Sequence, residues 1–206
     1  MTALLRSVVL CLASGAALPA AAQVEIVPFG GYRFGGSLSV ANEPAVLEVK
    51  DSAAWGVSLT YQVTEDGEVE ALFARQGTRL DSGGFFTSEP RFDLAIEIYQ
   101  LGGNYIFGED RNRLRPYVGA AMGVSRLVPE PAGLEAETRF SASVVGGLKA
   151  YVTPHFGLRF EVRGFFTVLD SDSQIFCGFP TAGCLANASG SDLSQAEARG
   201  GLIFRF

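Results

Sequence analysis

The chain has little with which to do chemistry on a substrate. Among its 206 residues there are one histidine, one tryptophan, two methionines and three cysteines. A Ser-His-acid relay needs a histidine within reach of its nucleophile, and a metal site needs a cluster of ligands. His155 stands alone beside Pro154, in what reads as a tight turn. A carboxylate-only arrangement remains open, but no pair of acids stands out. The expectation is no catalytic residue, no cofactor and no metal. Basic charge is also scarce. The 16 Lys and Arg are outnumbered by 22 Asp and Glu, giving −6, which argues against nucleic acid as a partner. Past residue 22 there is no apolar run long enough for a membrane helix. Mean hydropathy is nevertheless +0.22, so the apolar residues are dispersed by alternation instead of gathered in blocks.

The first 22 residues are the exception and read as a cleaved secretory signal peptide. Arg6 supplies the positive head, Ser7 to Ala17 the apolar core, and Ala20-Ala21-Ala22 small residues for cleavage before Gln23. The apolar core is too short to span a bilayer as an anchor. Leu10 before Cys11 is not the small residue that a lipid-anchor site wants. Loss of Arg6 takes the charge from −6 to −7. Residues 23–206 then form one domain in an oxidising compartment.

Within that domain the recurring unit is strand, turn, strand. Eight candidate strands lie near 24–34, 53–63, 67–78, 92–107, 115–127, 138–152, 155–169 and 193–206. In the second, Trp55, Val57, Leu59, Tyr61 and Val63 alternate with Ala54, Gly56, Ser58, Thr60 and Gln62, a period of two with one apolar face. The fourth breaks phase: Leu94, Ile96 and Ile98 fall on one side, Leu101, Gly103, Tyr105 and Phe107 on the other. A β-bulge near Tyr99-Gln100 would reset the register. Connections alternate in length. Thr64-Glu65-Asp66, 108–114 and Thr153-Pro154 are short, whereas about 35–52, 79–91, 128–137 and 170–192 are long. Short turns on one side and long loops on the other match an outer-membrane barrel, with an even strand count returning both ends to the periplasm.

The last strand supplies a more specific sign. Ala196, Ala198, Gly200, Leu202, Phe204 and Phe206 alternate with residues that include Glu197, Arg199 and Arg205. The ending Gly201-Leu202-Ile203-Phe204-Arg205-Phe206 resembles the terminal strand of bacterial outer-membrane β-barrels. In that family the final aromatic belongs to the signal read by the barrel-assembly machinery, so the resemblance assigns Leu202, Phe204 and Phe206 to that signal. With its architecture, the mature chain resembles the small outer-membrane barrel family that includes the OmpA transmembrane domain, OmpX and OmpW. The implied fold is all-β, an eight-stranded antiparallel up-and-down transmembrane β-barrel. Full-length OmpA-like proteins carry a peptidoglycan-binding domain after the barrel; with the sequence ending at Phe206 none is expected here, and no family binding residue carries over.

Charge placement tests lipid against water outside. A basic residue at mid-membrane on the lipid face costs roughly 2–4 kcal/mol and little near the interfaces. Outward faces carry only Arg75 and Arg126, near the loop-side strand ends, where lipopolysaccharide phosphates would receive them. Aromatics gather as girdles, with Trp55, Tyr32, Phe34 and Phe140 toward the loops and Tyr61, Tyr105, Phe107, Phe156, Phe204 and Phe206 toward the turns. A soluble lipocalin-like barrel, apolar inside, would explain neither feature.

Inward faces collect Glu25, Glu68, Glu70, Asp93, Glu97, Glu161 and Glu197 against Arg33, Lys149, Arg159, Arg163, Arg199 and Arg205. An eight-stranded interior is only wide enough for side chains to fill, and buried charges must pair. Glu68, Glu70, Glu97, Lys149, Arg159, Glu161, Arg163, Glu197 and Arg199 are therefore expected to form a lumen charge network; a narrow ion path is the alternative. Cys177 and Cys184, in the longest loop, are expected to form a disulfide. Asn187-Ala188-Ser189 matches a glycosylation sequon by coincidence, and the glycines around Tyr32 are not followed by the helix a phosphate loop requires.

The reading that follows is a monomeric, non-enzymatic outer-membrane barrel with a structural or surface-interaction role and a filled lumen. Its expected partners are outer-membrane lipid, lipopolysaccharide and the assembly machinery. An OmpW-like passage for small hydrophobic molecules and a lipid-modifying enzyme are the alternatives.

Overall fold

The period-two alternation becomes strand almost throughout the computed structural model, which describes residues 23–39, 46–81, 91–109, 112–129, 136–168, 173–177, 184–188 and 192–206. Eight long strands make the wall: β1 (Val24–Phe34), β4 (Ser52–Gln62), β5 (Gly67–Asp81), β6 (Arg91–Ile106), β7 (Leu114–Pro129), β8 (Glu137–Thr153), β9 (Phe156–Val168) and β12 (Asp192–Arg205). Each pairs antiparallel with the next, and β12 pairs with β1. Four short strands, β2 (Ser37–Ser39), β3 (Val46–Val49), β10 (Ser173–Cys177) and β11 (Cys184–Ala188), lie in the long connections. These four were not expected from the sequence. The predicted signal peptide lies outside the described residues.

The register shows that the sheet closes. From Val24 the ladder runs through Tyr61, Val69, Gly103, Ala120, Val144, Gly164 and Ala196, and returns to β1 at Phe34, ten residues further along. Closure with that stagger tilts the strands by about 35–45°. Ten residues of so tilted a strand rise about 25 Å, the height of an apolar band in an outer membrane.

Turn chemistry fixes the short end. Gly67 closes the β4–β5 turn by accepting hydrogen bonds from the Val63 and Thr64 amides at 2.9 and 3.1 Å. Gly108, at φ 95°, supplies the left-handed residue that opens the β6–β7 turn. Pro154 and His155 turn β8 into β9.

One expectation fails here. β6 carries no bulge near Tyr99-Gln100. Its pairing with β5 runs in one register from Gly67↔Tyr105 to Asp81↔Arg91, and the pairing with β7 is equally continuous. Leu94, Ile96 and Ile98 therefore share the inward face with Gln100 and Asn104. An irregularity occurs instead in β8, between Tyr151 and Thr153.

Candidate functional site

Inward side chains divide the lumen into two tiers. The tier nearer the short turns is polar and ionic. Glu25 accepts hydrogen bonds from Lys149 Nζ at 2.7 Å, Tyr151 Oη at 2.7 Å and Arg205 Nε at 2.8 Å. Lys149 also pairs with Glu68. Deeper in, Glu70 accepts from Arg159 and Arg163 at 2.9 and 2.8 Å and from Asn104 at 2.8 Å. Glu161 faces Arg159 at 2.8 Å, Arg163 at 3.1 Å and Arg199, and accepts from the Tyr117 hydroxyl at 2.6 Å. Arg199 reaches on to Glu197 at 3.4 Å, and Glu197 pairs with Arg33 at 2.6 Å.

Aromatic faces cover what the carboxylates do not. Phe29 lies 3.9 Å beneath Arg199, Phe165 4.5 Å from Arg33, and the Tyr117 ring 4.7 Å from Arg159. Tyr117 has room because Gly147 stands directly opposite it on the neighbouring strand β8, where a Cβ would come within 2.5 Å of the ring. The gap bounded by Val27, Phe29, Ser58, Arg159, Glu161 and Arg199 is too tight to admit a water molecule.

Toward the loops the filling changes. Leu94, Ile96, Ile98, Leu127 and Leu193 point inward and are at most 2% exposed, with Val49 beside them at 4%. Gln76, Gln100, Ser141, Ser143 and Gln195 thread among them as a neutral hydrogen-bonded set, including Gln100 to Ser141 at 2.9 Å and Gln195 to Gln76 at 3.2 Å.

Eight of the nine residues assigned to the lumen network thus sit in it: Glu68, Glu70, Lys149, Arg159, Glu161, Arg163, Glu197 and Arg199. Glu97 does not. It lies directly opposite Arg75 on β5 and Arg126 on β7, on the outer face, and pairs with them at 2.9 and 3.6 Å. Asp93 is outside too, paired at 2.9 Å with exposed Arg79. Among the described residues the lumen set is therefore five acids (Glu25, Glu68, Glu70, Glu161, Glu197) against six bases (Arg33, Lys149, Arg159, Arg163, Arg199, Arg205), and buried Arg115 adds a further base at the turn end. Its charge is positive, not balanced.

The outer wall is apolar between two aromatic belts. Tyr61, Tyr105, Phe107, Phe156 and Phe204 lie toward the turns, and Tyr105 packs on Phe107 at 5.1 Å. The loop-side belt holds Tyr32, Phe34, Trp55 and Phe140, joined by Phe73 and Tyr99, which the sequence reading left out. Leu202 and Phe204 face outward on β12, Phe204 meeting Phe156 at 5.8 Å, and Phe206 is 73% exposed. His155 is exposed in its turn, its Nδ1 3.2 Å from the Arg205 carbonyl oxygen. Cys177 stands opposite Cys184 in the β10–β11 ladder; side chains of that hairpin lie outside the described residues.

Sequence reasoning also missed Tyr117, Phe29, Phe165 and the apolar upper tier. The available signal was the shared phase of Ile98, Gln100 and Asn104.

Comparison with known proteins agrees with this geometry. The family model described as outer membrane protein beta-barrel domain matches residues 8–206. Among solved structures, Neisserial surface protein A is similar at a TM-score of 0.59 and 15% identity, over 90% of this chain and 99% of that one. The N-terminal β-barrel domain of Pseudomonas aeruginosa OprF is similar at 0.52 and 19% identity, over 89% and 97%. At such identities these likenesses show the fold. No curated protein matches the chain.

Proposed function

Because the chain belongs to the outer membrane protein beta-barrel domain family and so resides in the bacterial outer membrane, we propose that it is a non-enzymatic barrel with a closed lumen and a structural or surface-interaction role. The observation that carries this reading is the section at Tyr117, Glu70, Glu161, Arg159, Arg163 and Arg199, where side chains at most 6% exposed meet across the interior. A pore needs a file of water; these groups satisfy one another in its place. Above them the inward leucines and isoleucines offer an ion no ligand, and the glutamines and serines between them are bonded to one another. The long loops are then the parts that meet whatever the cell meets. Leu202, Phe204 and Phe206 are the residues the assembly machinery would read, and Cys177 and Cys184 would bridge the β10–β11 hairpin.

The test is conductance of purified protein in planar bilayers. No sustained current is expected. Stable openings, anion-selective given the excess of lumen bases, would refute a closed lumen. A second reading, passage of small hydrophobic molecules, draws on the apolar upper tier. Uptake of an apolar solute into protein-loaded liposomes above the rate of empty ones would favour it. A mass shift of lipid A on overexpression would reveal an enzyme.

A further inference from the structure

Two guanidiniums on a wall that faces lipid call for a ligand. Arg75 and Arg126 stand on β5 and β7, with Glu97 of β6 directly between them in the register. Their side chains remain 43% and 50% exposed, against 11% for Glu97. Arg75 Nη1 donates to Glu97 Oε1 at 2.9 Å, but Arg126 stays 3.6 Å from the other oxygen, beyond hydrogen-bonding distance. One carboxylate thus offsets one of two positive charges, and most of the guanidinium donors remain open. Immediately toward mid-membrane, Trp55, Phe73 and Tyr99 form a continuous aromatic shelf, with ring centroids 6.0 and 5.1 Å apart. The Tyr99 hydroxyl reaches Glu97 at 3.3 Å and ties shelf to cluster.

This arrangement sits at the loop-side belt, the level of outer-leaflet headgroups. We propose that Arg75 and Arg126 are the seat of a phosphorylated glycolipid, lipopolysaccharide, with its acyl chains lying on the Trp55–Phe73–Tyr99 shelf. Guanidinium forks match phosphate oxygens, and the low dielectric beside hydrocarbon strengthens the contact. The two arginines lie two strands apart, about 10 Å between Cα atoms. A headgroup with phosphates at both ends of a sugar pair reaches both; a single glycerophosphate reaches one. Glu97 holds the arginines in place and competes with the ligand for them. The inference deepens the lipid-partner reading and rests on outer-membrane placement, not on the closed lumen. Sustained conductance would sink the lumen reading and leave this site untouched.

The experiment compares the wild-type chain with Arg75→Gln/Arg126→Gln, both folded in neutral detergent micelles, by titration with bisphosphorylated lipid A, dephosphorylated lipid A and phosphatidylglycerol. The wild type should hold the bisphosphorylated form about tenfold more tightly than either other lipid, and the double variant should lose that difference. A wild type that does not discriminate, or a double variant that still does, overturns the proposal. Equal binding of phosphatidylglycerol overturns the choice of a glycolipid. Should the double variant fail to fold, Glu97→Gln decides the matter. Loss of the competing carboxylate tightens lipid A several-fold if the arginines bind phosphate, and unchanged or weaker binding rejects the site.

Discussion

The two tiers of the lumen fill the same narrow cylinder with opposite chemistry. From the turns up to the Arg33–Glu197 pair at the loop-side end of β1, six bases and five acids pair through buried contacts such as Glu70 to Arg159 and Arg163, with one base in excess. Near the loops, Ile96, Ile98, Leu94, Leu127 and Leu193 pack with hardly a charge among them. A buried ion network is unforgiving, because removing one partner strands the rest. An apolar tier loses only contact area when trimmed. The barrel should therefore be brittle at one end and tolerant at the other.

The sharpest way to break this contrast is Glu70→Ala, which leaves Arg159 and Arg163 with Glu161 as their one remaining carboxylate and a cavity where the other stood. It should destabilise the barrel by about 3–5 kcal/mol in urea unfolding from lipid vesicles, and a loss under 1 kcal/mol would mean the network contributes little. Next comes Gly147→Ala, whose methyl meets the Tyr117 ring and should cost about 1–3 kcal/mol by overpacking. In the upper tier Ile98→Val should cost only about 0.5–1.5 kcal/mol, in the same assay, and equality with Glu70→Ala would erase the distinction between tiers. The smallest effect is expected outside the cylinder. Cys177→Ser with Cys184→Ser should leave the midpoint of barrel unfolding unchanged, since β10 and β11 form a sheet of their own. Proteolysis of the hairpin should quicken. Two free thiols by mass spectrometry in protein from the native envelope would rule the bridge out.

Much of the wall was legible because lipid enforces alternation. The boundaries of β1 agree with those read from the sequence, and the other seven long strands fall within a few residues of expectation. Inward charges were legible for the same reason, since Glu161, Arg159 and Arg163 have nowhere else to go on β9. β6 misled because its loop-side half reverses the usual rule. Ile96 and Ile98 are apolar and face in, while Glu97 is acidic and faces out, sustained there by two arginines on neighbouring strands. A rule that sends apolar groups to lipid must invent a bulge to accommodate that. The short strands β2, β3, β10 and β11 left no trace, as runs of three to five residues are too short to show a period of two.

The join between β1 and β12 has a further consequence. Pairing in one register runs through Ile26↔Phe204, and resumes at Phe29↔Gly201 beyond Pro28, which has no amide hydrogen to give. Above and below that missing bond, Arg33 clasps Glu197 and Arg205 clasps Glu25, across 164 and 180 residues of chain. A cylinder slit along this line would turn four ionised groups toward oil. The two clasps thus work as a latch that catches only when both edges arrive together, so insertion and closure should occur as a single event, with no half-open form persisting in the bilayer.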